Sequence, residues 1–161
     1  MTADHLAAFG RAVAALRPEV AARSQPGLPG DEVRRRLGEV PDQVVEWFEW
    51  CNGVEGGETN DDVAVVPSCY PLSLDEAIGL RPIYEGDEVL SPNWIPLLQG
   101  PGSDIYAAVW SDASEASVAW VVVEEETGIE YASIREMVTY FTACYDRGDY
   151  VVNEDGYLDD A

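Results

Sequence analysis

Three strand-like runs in the second half of the chain limit the fold more than any other feature. They read NWIPLL at residues 93–98, DIYAAVW at 104–110 and SVAWVVV at 117–123, and the turn-rich segments GPGSD and SDASEAS separate them. Short runs rich in β-branched and aromatic residues, bounded by Gly, Pro, Ser and Asp, are typical of strands joined by turns. The runs therefore predict an antiparallel meander.

The first third of the chain is predicted to be helical. Residues 6–20 carry apolar side chains at i, i+3 and i+7, and Pro18 should interrupt this helix. Residues 31–37 predict a second, shorter helix, with Asp31 as its cap and Gly38 as its stop.

The segment PDQVVEWFEWCNG, residues 41–53, predicts a third helix and raises a question about chemistry. Its apolar residues recur at i, i+3, i+4 and i+7, which places Trp47 and Phe48 on the inward face. Glu46 and Glu49 lie opposite, at a spacing that suits a general acid and base but also arises in any amphipathic helix. We interpret the segment as packing.

Local signals mark the ends of the other elements. Asn52-Gly53 should end the third helix in a left-handed conformation, and capping boxes at residues 73–76 and 133–136 open two more helices. Residues 62–67 predict a strand, and the tail at 149–161 predicts a short edge strand. The residues expected in the structural core are Trp47, Phe48, Gly53, Trp94 and Phe141.

Charge is distributed unevenly along the chain. The sequence holds 31 acidic residues and nine basic ones, all of them arginine, for a net charge of −22. Residues 1–36 carry six Arg and four acids, whereas residues 37–161 carry three Arg and 27 acids. This anionic body argues against binding nucleic acid or an anionic membrane through a basic patch, and it favours a basic partner. Acidic residues that confer solubility are the alternative explanation.

Few residue patterns that support catalysis or metal binding are present. His5 is the only histidine and there is no lysine, so histidine-based triads, zinc motifs, P-loops and Schiff bases are not indicated. The three cysteines are far apart, and the tail motif NEDGYLDD fails the spacing of a calcium loop. We expect no catalytic residue, cofactor or metal, and an acid-only hydrolase stays as an alternative.

The order of the elements indicates the fold class. Helices, then strands, then a helix predict an α+β fold, with a mainly antiparallel sheet and helices packed on one face. No apolar run is long enough to span a membrane, and Asp4 replaces the basic start of a signal peptide. We therefore expect a cytoplasmic protein, and arginine in place of lysine suggests a GC-rich bacterial genome.

A series of short motifs resembles the SUKH superfamily, the domain shared by bacterial toxin-immunity proteins and fungal cell-wall assembly regulators. In family order these motifs are RLG at 36–38, EWFEWCNG at 46–53, LSLDEA at 72–77 and NWIPL at 93–97. The two following strand runs and the helix that begins at Ser133 continue the match. The resemblance covers residues 27–147, so we expect a helical extension at 1–26 and one SUKH-like domain with an acidic tail at 27–161.

The resemblance implies a curved sheet backed by helices, no catalytic residues and a role in binding another protein. Many members are similar to immunity proteins that neutralise a cognate secreted toxin, often a nuclease. We therefore expect a non-catalytic immunity protein that binds a basic toxin domain through its acidic surface. A regulatory adaptor that binds a cellular protein partner is the alternative.

Acidic loops are the candidate partner-binding sites, because binding residues concentrate in loops on a rigid scaffold. Three loops supply candidates, in chain order Glu55, Glu58, Asp61 and Asp62, then Glu85, Asp87 and Glu88, then Asp112 and Glu115. Trp110 and Trp120 are candidates for buried anchors of the interface, with a place in the core as the other possibility.

Overall fold

The computed structural model of the chain describes residues 2–57, 59–90 and 92–161. Within these ranges the α-helices are α1 Thr2–Leu16, α2 Pro18–Ala21, α3 Gly30–Leu37, α4 Asp42–Trp50, α5 Leu74–Leu80 and α6 Ile134–Arg147. The strands are β1 Tyr70–Pro71, β2 Trp94–Gln99, β3 Ile105–Val109, β4 Ser117–Val121, β5 Gly128–Tyr131, β6 Tyr150–Val152 and β7 Leu158–Asp160. The predicted α+β class is confirmed.

A five-stranded sheet forms the centre of the molecule. Its order is β1-β2-β3-β4-β5, and every neighbouring pair of strands is antiparallel. β2, β3 and β4 correspond to the three strand-like runs, so the predicted meander is confirmed. The short strands β1 and β5 form the two edges, and neither is among the sequence-based predictions.

Different elements pack on the two faces of the sheet. Side chains alternate along the strands, so Ala108 and Val118 point to the face that the α-helices cover, here called the helix face. Ala107 and Ala119 point to the opposite side, here called the second face. A short 3₁₀ helix at Arg81–Tyr84 and the chain that follows it cover part of the second face.

The N-terminal helix belongs to the main core. Leu6 and Phe9 of α1 are fully buried, and the ring centroids of Phe9 and of Phe141 on α6 lie 6.0 Å apart. α1 ends one residue before Arg17 and α2 begins at Pro18, as the proline predicts. The helical extension therefore packs against α4 and α6, and α6 lies on the sheet.

Residues 62–67 do not form the predicted strand. The chain instead makes a 3₁₀ helix at Asn60–Val63, and in the described part of the chain the buried residues that follow form only one isolated bridge, between Val66 and Cys69. The Val65 carbonyl accepts a hydrogen bond from the Tyr145 hydroxyl of α6. The N–H groups of Val65 and Val66 donate to the Cys69 carbonyl in a tight turn, so local backbone and side-chain bonds replace the partners of a strand, despite the high β propensity.

The C-terminal tail folds back on itself, so its predicted position at an edge of the sheet is wrong. β6 and β7 form a separate two-stranded sheet. Gly148 turns the chain after α6 with a φ of +77°. The Asn153 Oδ1 atom accepts hydrogen bonds from the N–H groups of Asp155 and Tyr157, at 3.0 Å each. A short loop closes at low entropic cost, which favours this local hairpin.

The predicted helix ends are mostly correct. The hydroxyl oxygens of Ser73 and Ser133 accept hydrogen bonds from the N–H groups of Glu76 and Glu136, as capping boxes require. The Glu136 carboxylate, however, accepts its hydrogen bond from the Ala132 N–H rather than from the Ser133 N–H.

Two other end signals need correction. Pro29 precedes α3 and makes no side-chain cap, so Asp31 is not the cap but the second residue of the helix, while Gly38 follows as predicted with a φ of +82°. α4 ends through an extended Cys51, not through a left-handed residue. Gly53 does have a φ of +86°, and a Cβ there would lie 2.8 Å from the Ser73 nitrogen.

Candidate binding surface

The helix α4 is built for packing on one side. Trp47 and Phe48 have no exposed surface. Glu49 is exposed beside α3, where a Cβ added to Gly30 would lie 3.1 Å from its carboxylate, whereas Glu46 is part-buried in a groove that Glu115 also lines. The two glutamates therefore have different neighbours, and the arrangement does not converge on one point as an acid–base pair would.

The first acidic loop lies against the N-terminal helices. The Glu55 carboxylate accepts a hydrogen bond from Gln25 at 3.2 Å, and the Asp62 carboxylate accepts one from the Thr59 N–H at 3.0 Å. Asp62 also lines a groove with Arg17 and Arg23, and Asp61 is half-buried next to it. Glu58 lies outside the described residues. This loop therefore faces the most basic part of the chain.

One carboxylate of the second acidic loop binds the connection between β4 and β5. Asp87 accepts hydrogen bonds from the N–H groups of Val89 and Leu90 at 2.9 and 3.2 Å, and from the Thr127 hydroxyl at 2.5 Å. Glu85 and Glu88 are exposed. Asp87 therefore holds the loop in place, and the two glutamates are the carboxylates that face solvent.

This contact creates a groove with both apolar and acidic walls, here called the end groove. It has a volume of about 340 Å³ and lies where the second loop meets the β4–β5 connection. Its wall includes two apolar side chains and three carboxylates, namely Ile83, Val123, Glu85, Glu124 and Glu125. Ile83 is 62% exposed and Val123 is 53% exposed, so the groove presents apolar side chains among carboxylates.

A third exposed apolar side chain lies on the edge strand β5. Ile129 of β5 is 53% exposed and pairs with Ala119, which places it on the second face. Among the described residues, Ile83, Val123 and Ile129 are the three most exposed large aliphatic side chains. Ile83 and Val123 line the same groove, and apolar side chains that share one surface mark interaction sites, whereas those scattered singly need no explanation.

The third acidic loop lies at the other end of the sheet. The Asp112 carboxylate accepts hydrogen bonds from the Ser114 hydroxyl and from the Ser114 N–H, the latter at 2.8 Å, and these bonds lower the pKa of Asp112. Glu115 lines a groove with Glu46 and Arg135. Because β3–β4 and β4–β5 connections lie at opposite ends of an antiparallel sheet, the three loops do not form one surface.

The two candidate anchors have different positions. Trp110 is only 7% exposed and belongs to the main core. Trp120 is half-buried, and its ring centroid lies 4.3 Å from that of Tyr106. Two further tyrosines, Tyr131 and Tyr140, continue this group, here called the aromatic row. Sequence reasoning did not identify the three tyrosines, although the alternation of paired strands sets Tyr106 beside Trp120.

The three cysteines are buried, and burial lowers the reactivity of two of them. Cys51, Cys69 and Cys144 are free thiols. Burial raises the pKa of Cys51 to about 11 and that of Cys69 to about 12. Thiols with such pKa values hold almost no thiolate at neutral pH, so these two are poor nucleophiles and poor metal ligands.

Two further features of the described ranges bear on function. Residues 2–57, 59–90 and 92–161 contain no group of three or more His, Cys, Asp or Glu side chains arranged to hold a metal ion. None of the helices described for the chain is long and apolar enough to cross a membrane.

No protein-family model matches the chain, and no curated protein matches it either. The resemblance to the SUKH superfamily therefore rests on the short motifs and on their order along the chain.

Proposed function

We propose that the chain is a non-catalytic immunity protein of the SUKH type, which binds a basic toxin domain in the bacterial cytoplasm and neutralises it. The observation that carries the proposal is the end groove. It combines exposed Ile83 and Val123 with Glu85, Glu124 and Glu125 on one surface.

The composition of this groove fits a protein partner better than a small molecule. Protein interfaces have an apolar centre that supplies affinity and a polar rim that remains in contact with water. Carboxylates in the rim attract a basic partner and reject acidic ones. A nuclease toxin suits this surface, because the groove that binds its phosphate substrate must itself be basic.

The net charge of −22 gives the proposal a kinetic consequence. Long-range attraction accelerates association with a basic partner, whereas dissociation depends mainly on contacts buried in the interface. As salt rises from roughly 0.05 to 0.5 M, the Debye length falls from roughly 14 to 4 Å. We therefore expect the association rate to fall by about ten-fold or more and the dissociation rate to change far less.

The test uses the product of the gene adjacent to this one. Surface-plasmon kinetics would measure its association with the full chain, and co-expression would measure protection of the host from its toxicity. The variant Ile83→Ser/Val123→Ser should weaken binding by about ten-fold or more, because each change removes an exposed apolar contact at the centre of the interface.

The control removes apolar surface elsewhere. Val151 and Val152 on β6 are 37% and 41% exposed, so Val151→Ser/Val152→Ser makes a similar change away from the end groove. This variant should bind as the unmodified chain does. Loss of binding in both variants, or in neither, would contradict the end groove as the site. A non-toxic partner with a salt-independent association rate would favour the adaptor alternative.

A further inference from the structure

The aromatic row crosses the helix face and reaches the edge of the molecule. Its ring centroids follow one another at 4.3 Å from Trp120 to Tyr106, 6.3 Å from Tyr106 to Tyr131 and 6.0 Å from Tyr131 to Tyr140. Tyr140 on α6 is 50% exposed, and the other three side chains are half-buried. The row therefore presents aromatic ring surface to solvent beside strand β5.

Packing accounts for only part of this group. Phe141 is 2% exposed and contacts Tyr106 and Tyr131 at centroid distances of 5.8 and 5.9 Å, as expected for a core side chain. Tyr140 lies outside this core, with half of its surface in solvent. A polar-tipped aromatic ring in that position adds little to folding, but it is the side chain that protein interfaces favour as an anchor.

A carboxylate stands beside the row. The register between β4 and β5 shifts between the pairs Val118–Tyr131 and Ala119–Ile129, which leaves Glu130 without an opposite residue. Glu130 is exposed. It directly precedes Tyr131 in β5, so its carboxylate lies at the same edge of the sheet as the row.

An arginine on the same helix as Tyr140 is already engaged. Arg147 acts electrostatically on Tyr140, but its guanidinium lies 2.9 Å from the Asp149 carboxylate. Aromatic faces next to a carboxylate are the surroundings that a guanidinium group prefers, because it stacks on the rings and pairs with the acid at the same time.

We propose that the aromatic row is a subsite for an arginine side chain of the partner, with the guanidinium stacked on Tyr131 and Tyr140 and paired with Glu130. This inference rests on the proposed function, because it takes the partner to be a basic protein. Ile129 and Tyr131 point to opposite faces of the edge strand β5. A partner that fills the end groove can therefore reach the row across β5.

The test compares two short peptides on the full chain, acetyl-tetra-arginine amide and acetyl-tetra-lysine amide. Both carry the same charge, but only the guanidinium is planar and stacks readily. In titrations at about 0.3 M salt, where long-range attraction is screened, we expect the arginine peptide to bind about five-fold more tightly. Its binding should shift the indole N–H signal of Trp120 in NMR spectra.

Three variants locate the preference. Tyr131→Leu/Tyr140→Leu should abolish the advantage of arginine over lysine, whereas Tyr131→Phe/Tyr140→Phe should keep it, because the rings remain. Tyr157→Leu changes a half-buried tyrosine outside the row and should have no effect. Equal binding of the two peptides to the unmodified chain, or an arginine preference that survives the double leucine variant, would overturn the subsite.

The outcome for the partner separates this inference from the proposed function. If the adjacent gene product binds the Tyr131→Leu/Tyr140→Leu variant as tightly as the unmodified chain, the subsite is wrong and the immunity function stands. If that product does not bind at all but the arginine preference is found, the immunity function is wrong and the subsite stands.

Discussion

Arg17 is the residue whose role is hardest to see in the sequence. It is only 2% exposed, and its guanidinium donates hydrogen bonds to three backbone carbonyls, those of Ala64 at 2.9 Å, Asp61 at 3.3 Å and Gly156 at 3.2 Å. Glu19 lies 3.4 Å away but is largely exposed, so it contributes little. Arg17 therefore joins the α1–α2 junction, the first acidic loop and the C-terminal hairpin.

Replacing this guanidinium should destabilise the fold. Arg17→Met keeps the length of the side chain but leaves the carbonyls without their donor, which we expect to lower the free energy of unfolding by about 3 kcal/mol. Urea denaturation would measure the change. Arg35→Met is the matched control, because Arg35 is 75% exposed and should have almost no effect. Equal stability of the two variants would contradict the role of Arg17.

At the scale of elements, the loop that precedes α3 forms hydrogen bonds with the C-terminal end of α4. The Leu28 N–H donates to the Phe48 carbonyl at 2.8 Å, and the Asn52 N–H donates to the Gln25 carbonyl at 3.3 Å. The first bond satisfies a carbonyl that the end of α4 leaves without a partner, and the second fixes the chain that follows the helix. The close approach requires a small residue, since a Cβ on Gly27 would lie 1.7 Å from the Glu49 carbonyl oxygen.

A methyl group at this contact should separate the loop from the helix. We expect Gly27→Ala to lower the free energy of unfolding by at least about 2 kcal/mol, because the clash is with backbone and cannot be relieved by a rotamer change. Gly79→Ala is the same substitution within α5, where a Cβ meets no atom within 4 Å. That control should be neutral or stabilising by up to about 1 kcal/mol. Thermal melts would show whether the two variants shift in opposite directions.

At the scale of the whole molecule, the burial of phenols and thiols makes stability depend on pH. Burial raises the pKa of several phenols and thiols above their ordinary values. The groups concerned are Tyr70, Tyr84, Tyr106, Tyr131, Tyr145, Tyr150, Cys51 and Cys69.

Stability should therefore fall in alkaline solution. The unfolded chain loses these protons near the ordinary values of 9.0 for cysteine and 10.0 for tyrosine, while the folded chain retains them. The folded state then binds more protons, so the free energy of unfolding decreases as pH rises above about 9. Urea titrations between about pH 7 and 11 would measure it. A constant free energy of unfolding over that range would contradict the burial of these groups.

How far the sequence predicts the fold depends on the range of the interaction. The meander, the break at Pro18, the capping serines and the buried side of α4 were predictable, because each depends on residues a few positions apart. Residues 62–67 and the tail were predicted wrongly. At residues 62–67, Tyr145 and Arg17 donate hydrogen bonds to backbone carbonyls, and in the tail a local turn pairs the chain with itself. Strand propensity takes none of these contacts into account.

The sequence by itself determined the α+β class, the anionic body and the buried side chains of α4, since composition and periodicity need no knowledge of distant contacts. Only the tertiary structure decided which acidic residues lie beside Arg17 and Arg23, which ones stabilise their own loop, and which ones border exposed apolar side chains. Asp87 and Thr127 are 40 positions apart, and Tyr106 and Phe141, whose ring centroids lie 5.8 Å apart, are 35 apart in the numbering. Such pairs meet only when the sheet has formed, because antiparallel pairing and the packing of α6 bring distant segments together.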